Sequence, residues 1–301
     1  MALNLTLLRS FYAVVEAGSV SKAARAGFAS QPGLSKAVRE LEKQLGVALL
    51  ERSTLGSTPT QAGRELFEYA RAIFALESRA EDAIKSHKEL TASTLHIGAS
   101  TTIATYILPP LLKRFCDLHP GISLALTRGN TREIESRIWN YEFDVALVSG
   151  PPHDERLEKT VWREDEMVCI CAPDHPLAGR ELVFLQELRE CVWVMREEGS
   201  GARDVVENAL RPYALTPRGR LEIGGCEALK QSVAVGLGVS FVSRQAAADQ
   251  IALGKLKVLR LAEIEIRSPF YLLHLPGRPL SPAARAFENF LLHPPQNPPR
   301  T

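Results

Sequence analysis

Gln31, Ser35, Lys36 and Arg39 recur at helical spacing just after Ser30, and their side chains are of the kinds that read or hold nucleic acid. A glutamine amide pairs with adenine, and lysine or arginine donates to guanine or to phosphate. The hydroxyls of Ser30 and Ser35 can donate to phosphate. Arg52, on a separate turn-rich stretch, is placed to reach the backbone or the minor groove. The same residues would also serve as the solvated face of a small three-helix unit. Charge alone favours that plainer reading.

A second set of polar residues lies further along: Ser100-Thr101-Thr102, Asn130-Thr131, Ser149, Gly199-Ser200-Gly201 and Cys226-Glu227. Each ends a strand-like run or opens a helix-like one. Hydroxyls together with the free N–H groups of a helix start suit a carboxylate, phosphate or sulfate-like anion. Any one of these loops alone reads as an ordinary helix cap. Together they read as a ligand-binding cleft.

No catalytic or metal set emerges. The seven histidines are scattered, without an H-x-x-x-H pair or a cysteine partner at metal spacing. Ser200 lacks the context of a nucleophile elbow, and the Gly199–Arg203 run lacks the lysine of a nucleotide-hydrolysing P-loop. No enzyme activity, cofactor or metal is expected. The five cysteines form no C-x-x-C pair and are expected to be reduced thiols, with a redox role for Cys226 as the minor alternative.

The elements that must position these residues follow from periodicity. Residues 4–45 read as three short helices, punctuated by Gly18, Gly27 and Gly46, with Ser19 or Ser21 capping the second and Ser30 the third. Leu34, Val38, Leu41 and Leu45 give the third helix one apolar face, opposite Gln31, Lys36 and Arg39. Gly33 inside it costs about 1 kcal/mol relative to alanine. Val47–Glu51 and the turn-rich 52–57 make a hairpin.

From Thr60, Ala62, Leu66, Tyr69, Ile73, Leu76, Ala80, Ala83, His87 and Leu90 alternate steps of four and three, as in a coiled-coil seam. Packing of this helix on its own domain is the alternative. Beyond Leu95, strand-like runs at 95–98, 122–127, 145–148, 167–172, 192–195, 239–242 and 270–274 alternate with helices at 103–118, 131–140, 202–213, 227–235, 244–253 and 282–292. That alternation predicts α/β with mainly parallel sheets. The proline-rich tail from His293 is expected to be disordered.

At 301 residues and net charge +1, the chain suits two domains, and any basic surface must be local. Through Thr58 there is a surplus of three positive charges. Residues 1–20 lack the pattern of a secretory signal, and no apolar run approaches the roughly 18–20 residues that span a bilayer. A cytoplasmic location is therefore expected.

Residues 2–64 resemble the LysR-type winged helix-turn-helix. The match runs through Leu7…Phe11…Gly18-Ser19-Val20…Ala23-Ala24, Ser30-Gln31-Pro32…Leu34-Ser35…Val38…Leu41-Glu42…Leu45-Gly46, Leu49-Leu50-Glu51-Arg52 and Pro59-Thr60…Gly63. Residues 95–292 resemble that family's effector domain through Leu95-His96-Ile97-Gly98, Leu108–Leu112…Phe115…His119-Pro120, Asp144–Leu147, His175-Pro176-Leu177 and Val233…Gly236–Val239. The run Gly199–Arg203, after Arg196-Glu197, is similar to members governing sulfur or one-carbon assimilation.

The resemblance implies a winged helix-turn-helix over 1–59, a linker and dimerisation helix over 60–90, and a two-lobed periplasmic-binding-protein-like effector domain over 91–301. Its lobe I would span about 95–162 and 267–292, and lobe II about 163–266. Gln31, Pro32, Ser35, Lys36, Arg39 and Arg52 become the DNA-facing positions, reading an AT-biased inverted repeat as a dimer. The implied function is a DNA-binding transcription regulator governed by a small molecule held between the lobes. A tetramer is the expected assembly, with RNA polymerase a further partner and no membrane. The rivals are a solute-binding or enzymatic α/β protein and a regulator with a non-responsive cleft.

Overall fold

The computed structural model describes residues 3–27, 29–53, 56–88 and 93–294, with side chains omitted for 52, 53, 56, 79, 82–88 and 93. The chain divides near residue 84 into two compact units.

The first unit opens with α1 (Leu5–Ala17), α2 (Val20–Arg25) and α3 (Gln31–Leu45), capped by Asn4, Ser19 and Ser30 respectively. Each cap oxygen accepts a backbone N–H that the first helical turn leaves unpaired. Gly18 and Gly46 end α1 and α3 in the left-handed conformation. Leu8, Phe11 and Val14 of α1 meet Ala23 of α2 and Leu34, Val38 and Leu41 of α3 in one buried core. Burying each of the larger side chains contributes about 2 kcal/mol. A hairpin of β1 (Leu50–Ser53) and β2 (Gly56–Pro59) follows. Glu42 of α3 ties it in, accepting from the N–H groups of Leu49 and Leu50 at 2.9 and 3.1 Å.

Helix α4 (Gln61–Lys88) packs its first half back onto this core. Tyr12 stacks on Phe67 at 5.1 Å and meets Phe74 edge-on at 5.6 Å, while Ala70 is fully buried. Of the expected seam, Ala62, Leu66 and Ile73 join the core, whereas Tyr69 and Leu76 are exposed. Part of the expected seam thus packs on its own unit, which is the alternative named for this helix. The side chains of Ala83 and His87, and all of Leu90, lie outside the described residues.

The second unit is α/β. Its elements are β3 (Ser93–Ser100), α5 (Leu108–Leu118), β4 (Ile122–Gly129), α6 (Thr131–Trp139), β5 (Val145–Ser149), β6 (Glu158–Cys171), β7 (Val192–Arg196), α7 (Gly201–Leu210) and β8 (Gly219–Ile223). α8 (Cys226–Ala234), β9 (Ser240–Ser243), α9 (Arg244–Ala252), β10 (Lys257–Leu259), β11 (Ile266–His274) and α10 (Pro282–Leu292) complete it.

The sheets are mixed, which corrects the expectation of mainly parallel pairing. β3 pairs in parallel with β4 and β5, and β7 with β8. The long strands β6 and β11 run antiparallel to each other from Ile266↔Met167 to His274↔Glu158, and β9 and β10 pair antiparallel to β6. β6 and β11 thus lie side by side in opposite directions within one seven-stranded sheet.

Separate cores pack along this pair. Leu95, Ile97, Phe115, Leu147, Phe270 and Phe287 fill one. Beyond it β6 alternates: Met167, Cys169 and Cys171 face a core with Trp193 and Phe241, while Val168 and Ile170 face another with Leu229 and Val242. Period-two alternation puts successive side chains on opposite faces of a strand. Three further departures are local. The helix expected at 103–118 opens with a π turn at Ile103–Ile107, that at 202–213 tightens to a 3-10 turn over Arg211–Tyr213, and β8 and β10 lie outside the expected strands. The tail expected to be disordered lies, from residue 295, outside the described residues.

Candidate functional site

Helix α3 presents one face to its core and the other outward. Gln31, Pro32, Lys36 and Arg39 are exposed and Ser35 is half-buried. With Glu40 and Lys43 they line a shallow groove of about 540 Å³. Ser30 is foremost a cap, its Oγ accepting from the N–H of Gly33 at 3.2 Å. A β-carbon at Gly33 would lie 3.1 Å from that same Oγ, so the glycine leaves room for the cap. No acid is ion-paired to Lys36 or Arg39 among the described residues, so both cations stay available. Arg52 lies in β1, and its side chain is outside the described set. Glu40 is an anion in this groove that the sequence reading passed over.

In the second unit, the polar residues gather at the carboxyl ends of the strands, where an open α/β sheet binds ligands. Ser100 ends β3, Gly129 ends β4, Ser149 ends β5 and Arg196 ends β7. Ser100, Thr101, Thr102, Asn130, Thr131, Ser149, Arg196, Ser200, Gly201 and Ala202 enclose one cavity. Its volume is only about 10 Å³, the space of a single water molecule at most. Gly199 is adjacent, its carbonyl accepting from the N–H of Arg132 at 3.1 Å.

Hydroxyls stitch this cavity shut. Thr131 Oγ1 accepts from the N–H of Gly201 and donates to the carbonyl of Ser149, both at 3.2 Å. Ser100 Oγ accepts from the N–H of Ser149 at 3.2 Å, and Ser149 Oγ meets Ser268 Oγ at 3.1 Å. Thr101 donates to the carbonyl of Gly129 at 3.1 Å. Ser200, at the start of α7, makes no capping bond with its side chain. Beside the cavity, His153 Nδ1 lies 3.2 Å from Glu135 of α6 and its Nε2 lies 2.8 Å from Asp204 of α7. Burial pushes the Glu135 carboxyl above its ordinary value, against the pull of His153.

Besides Gly199, two expected residues fall outside this cavity. Cys226 is buried at the start of α8, where burial raises its thiol and disfavours the reactive thiolate. Glu227 is engaged by Lys230 at 2.9 Å, by the Tyr106 hydroxyl at 2.9 Å and by Gln231 at 2.8 Å. Hydrogen bonds from Lys230 and Gln231 hold its pKa down to about 2. Among the described residues, no group of three or more His, Cys, Asp or Glu side chains could hold a metal ion, and no helix is long and apolar enough to cross a membrane.

Residues 5–64 match the model of the bacterial regulatory helix-turn-helix protein, lysR family, and residues 88–294 match that of the LysR substrate binding domain. The chain is a LysR-family transcription regulator. It is 34% identical over 271 residues to the HTH-type transcriptional regulator CysL of Bacillus subtilis, covering 90% of each chain. It is 35% identical over 292 residues to the RuBisCO operon transcriptional regulator of Allochromatium vinosum, covering 97% of this chain and 96% of that one. The Synechocystis PCC6803 CcmR regulatory domain, solved in complex with 2-PG, superposes with TM-score 0.62 at 34% identity, covering 66% of this chain and 95% of that one. CbnR shares the fold at TM-score 0.75 and 22% identity over 96% of this chain and 98% of that one.

For this LysR-family regulator, sequence reasoning missed Arg196, His153, Glu135, Asp204 and Ser268. Arg196 ends a strand as Ser149 does, so the rule that found Ser149 would have found it too. The others had no local signal, because they depend on contacts between distant segments: Ser149 with Ser268, and His153 with Glu135 of α6 and Asp204 of α7.

Proposed function

We propose that this regulator reads double-stranded DNA with the outward face of α3 and responds to a small anion bound at the closed polar cavity. Gln31, Pro32, Ser35, Lys36 and Arg39 contact the major groove or its phosphates, Ser30 donates to phosphate, and Arg52 reaches the backbone from the hairpin. The effector domain divides into lobe I, about 95–162 and 267–292, and lobe II, about 163–266. Ser100, Thr101, Thr102, Asn130, Thr131, Ser149, Gly199 and Ser200 surround the effector between them.

One observation carries the anion reading: the starts of α6 and α7, the polar turn before α5 and the guanidinium-bearing Arg196 converge on one enclosed space. The CcmR domain in complex with 2-PG and full-length CbnR complexed with its target DNA lend support by likeness. Because the cavity holds no more than a water, an effector must separate the lobes. Entry breaks the Thr131–Gly201 and His153–Asp204 contacts, and the shift it drives equals its preference for the open arrangement.

The exposed Tyr69 and Leu76 of α4 support dimerisation through that helix, and pairing of dimers makes a tetramer. The protein works in the cytoplasm, with RNA polymerase as a further partner. Binding of the full-length protein to its own upstream DNA is to be measured over a salt series, with and without small oxyanions. A steep salt dependence and an anion-shifted footprint are expected. A monomer with no salt-dependent affinity, or a footprint that no anion alters, would count against the reading.

A further inference from the structure

We propose that Arg196 is the receptor for the acid group of the effector and that Glu197 is its resident counter-ion, expelled when the effector binds. This deepens, and rests on, the cleft reading above. Among the residues lining the cavity, Arg196 alone carries a charge. Its side chain is 7% exposed, and a buried guanidinium must be paired. The partner is its neighbour in sequence: Nε donates to Glu197 Oε2 at 2.7 Å and Nη2 to Oε1 at 2.6 Å. That is a two-pronged match of fork to carboxylate.

Glu197 has a second attachment. Its Oε2 accepts from the N–H of Gly225 at 3.1 Å, directly before the nine-residue helix α8. The carboxylate therefore occupies both of the attractions an anionic ligand would seek, a guanidinium fork and the positive end of a helix. Burial pushes Glu197 up, yet Arg196 and the Gly225 amide hold it below the usual carboxylate range. Neighbouring cations are already engaged. Arg132 pairs with Glu198 at 3.2 Å, and Arg203 with Glu207 and Glu222 at 3.0 and 2.7 Å.

A carboxylate, or one edge of a phosphate, presents the same pair of oxygens as Glu197 and replaces it without stranding Arg196. A neutral sugar or an uncharged aromatic does not. The released Glu197, 23% exposed in place, regains water, whereas Arg196 stays inside. The exchange also reaches the lobe seam. Glu197 begins the short turn whose Gly199 carbonyl holds the N–H of Arg132, so moving Glu197 loosens that contact. The counter-ion thereby competes with the effector and sets its threshold.

The test uses the full-length protein with inorganic phosphate and acetate as probes, at constant ionic strength set by chloride, read by calorimetry and thermal shift. Glu197→Gln keeps the shape and removes the competing charge, and should bind phosphate about tenfold tighter, the scale of one charge-assisted hydrogen bond. Arg196→Gln should lose binding, and Arg196→Lys, which keeps the charge without the fork, should fall between if the former fails to fold. Unchanged phosphate affinity in Glu197→Gln, or undiminished affinity in the Arg196 variants, overturns the proposal. So does an absence of binding by both wild type and Glu197→Gln. Ser149→Ala separates the two failures. If it weakens binding while the Arg196 variants do not, the cleft stands and Arg196 falls. If neither changes it, the cleft reading itself falls.

Discussion

Gly201 lies so close to Ser149 that a β-carbon on the glycine would sit 1.8 Å from the serine carbonyl oxygen. The two residues belong to different lobes in the proposed division, at the start of α7 and the end of β5. Their approach lets Thr131 bridge both backbones. Gly201→Ala should therefore wedge the lobes apart. Overpacking of this kind costs about 1–3 kcal/mol, and the variant should give a larger radius in small-angle scattering and a lower Tm. A variant with wild-type dimensions and Tm would show that the seam has slack.

Asp165, in the long strand β6, is buried, and its Oδ2 has no hydrogen-bond partner. Burial raises its pKa, against the pull of Ser243. The folded state therefore holds this proton more tightly than the unfolded chain. This contribution to stability falls as pH rises from the ordinary carboxyl value through the raised one, and stays low above it. Asp165→Asn cannot ionise. Its stability relative to wild type should improve as pH rises above the ordinary carboxyl value, measured by urea unfolding over a pH series. A difference independent of pH would rule out ionisation as the cause.

Lys36 is exposed on the outward face of α3, with no acid ion-paired to it among the described residues. Lys36→Ala should weaken binding to all DNA sequences alike and reduce the slope of log affinity against log salt by about one unit. An unchanged slope would remove Lys36 from the phosphate contacts.

Leu76 is exposed on α4, outside the core that Ala70 and Phe74 join. Leu76→Glu should convert dimers to monomers in sedimentation analysis while leaving the unfolding of the first unit nearly unchanged. Charge in a coiled-coil seam is unfavourable, whereas a surface change on the folded unit shifts stability by no more than about 0.5 kcal/mol. Retained dimers would move the interface elsewhere.

His153 joins Glu135 to Asp204 beside the cavity. Replacing it with alanine leaves the buried Glu135 short of a partner, a loss of about 1–3 kcal/mol measurable by chemical unfolding. An unaltered midpoint would mean that Glu135 finds another partner or sits protonated.

Much of this molecule was written locally. The caps Ser19 and Ser30, the stops Gly18 and Gly46, and the apolar face of Leu34, Val38 and Leu41 are signals within a turn or two of the residues they shape. The first unit and the outward face of α3 were accordingly legible, as were the polar ends of β3, β4 and β5. The rest depended on partners distant in sequence. Glu158–Glu164 is largely exposed and polar, and is strand only because β11 lies beside it. Phe67 and Phe74 took their roles from Tyr12 of α1, some fifty to sixty positions away. Local chemistry determined which residues could bind DNA or an anion. Tertiary packing alone decided that the ends of β3, β5 and β7 meet around one cavity, that Glu197 also reaches the N–H of Gly225, and that the cavity is nearly closed. Those properties arise from contacts between segments whose separation along the chain leaves no periodic trace.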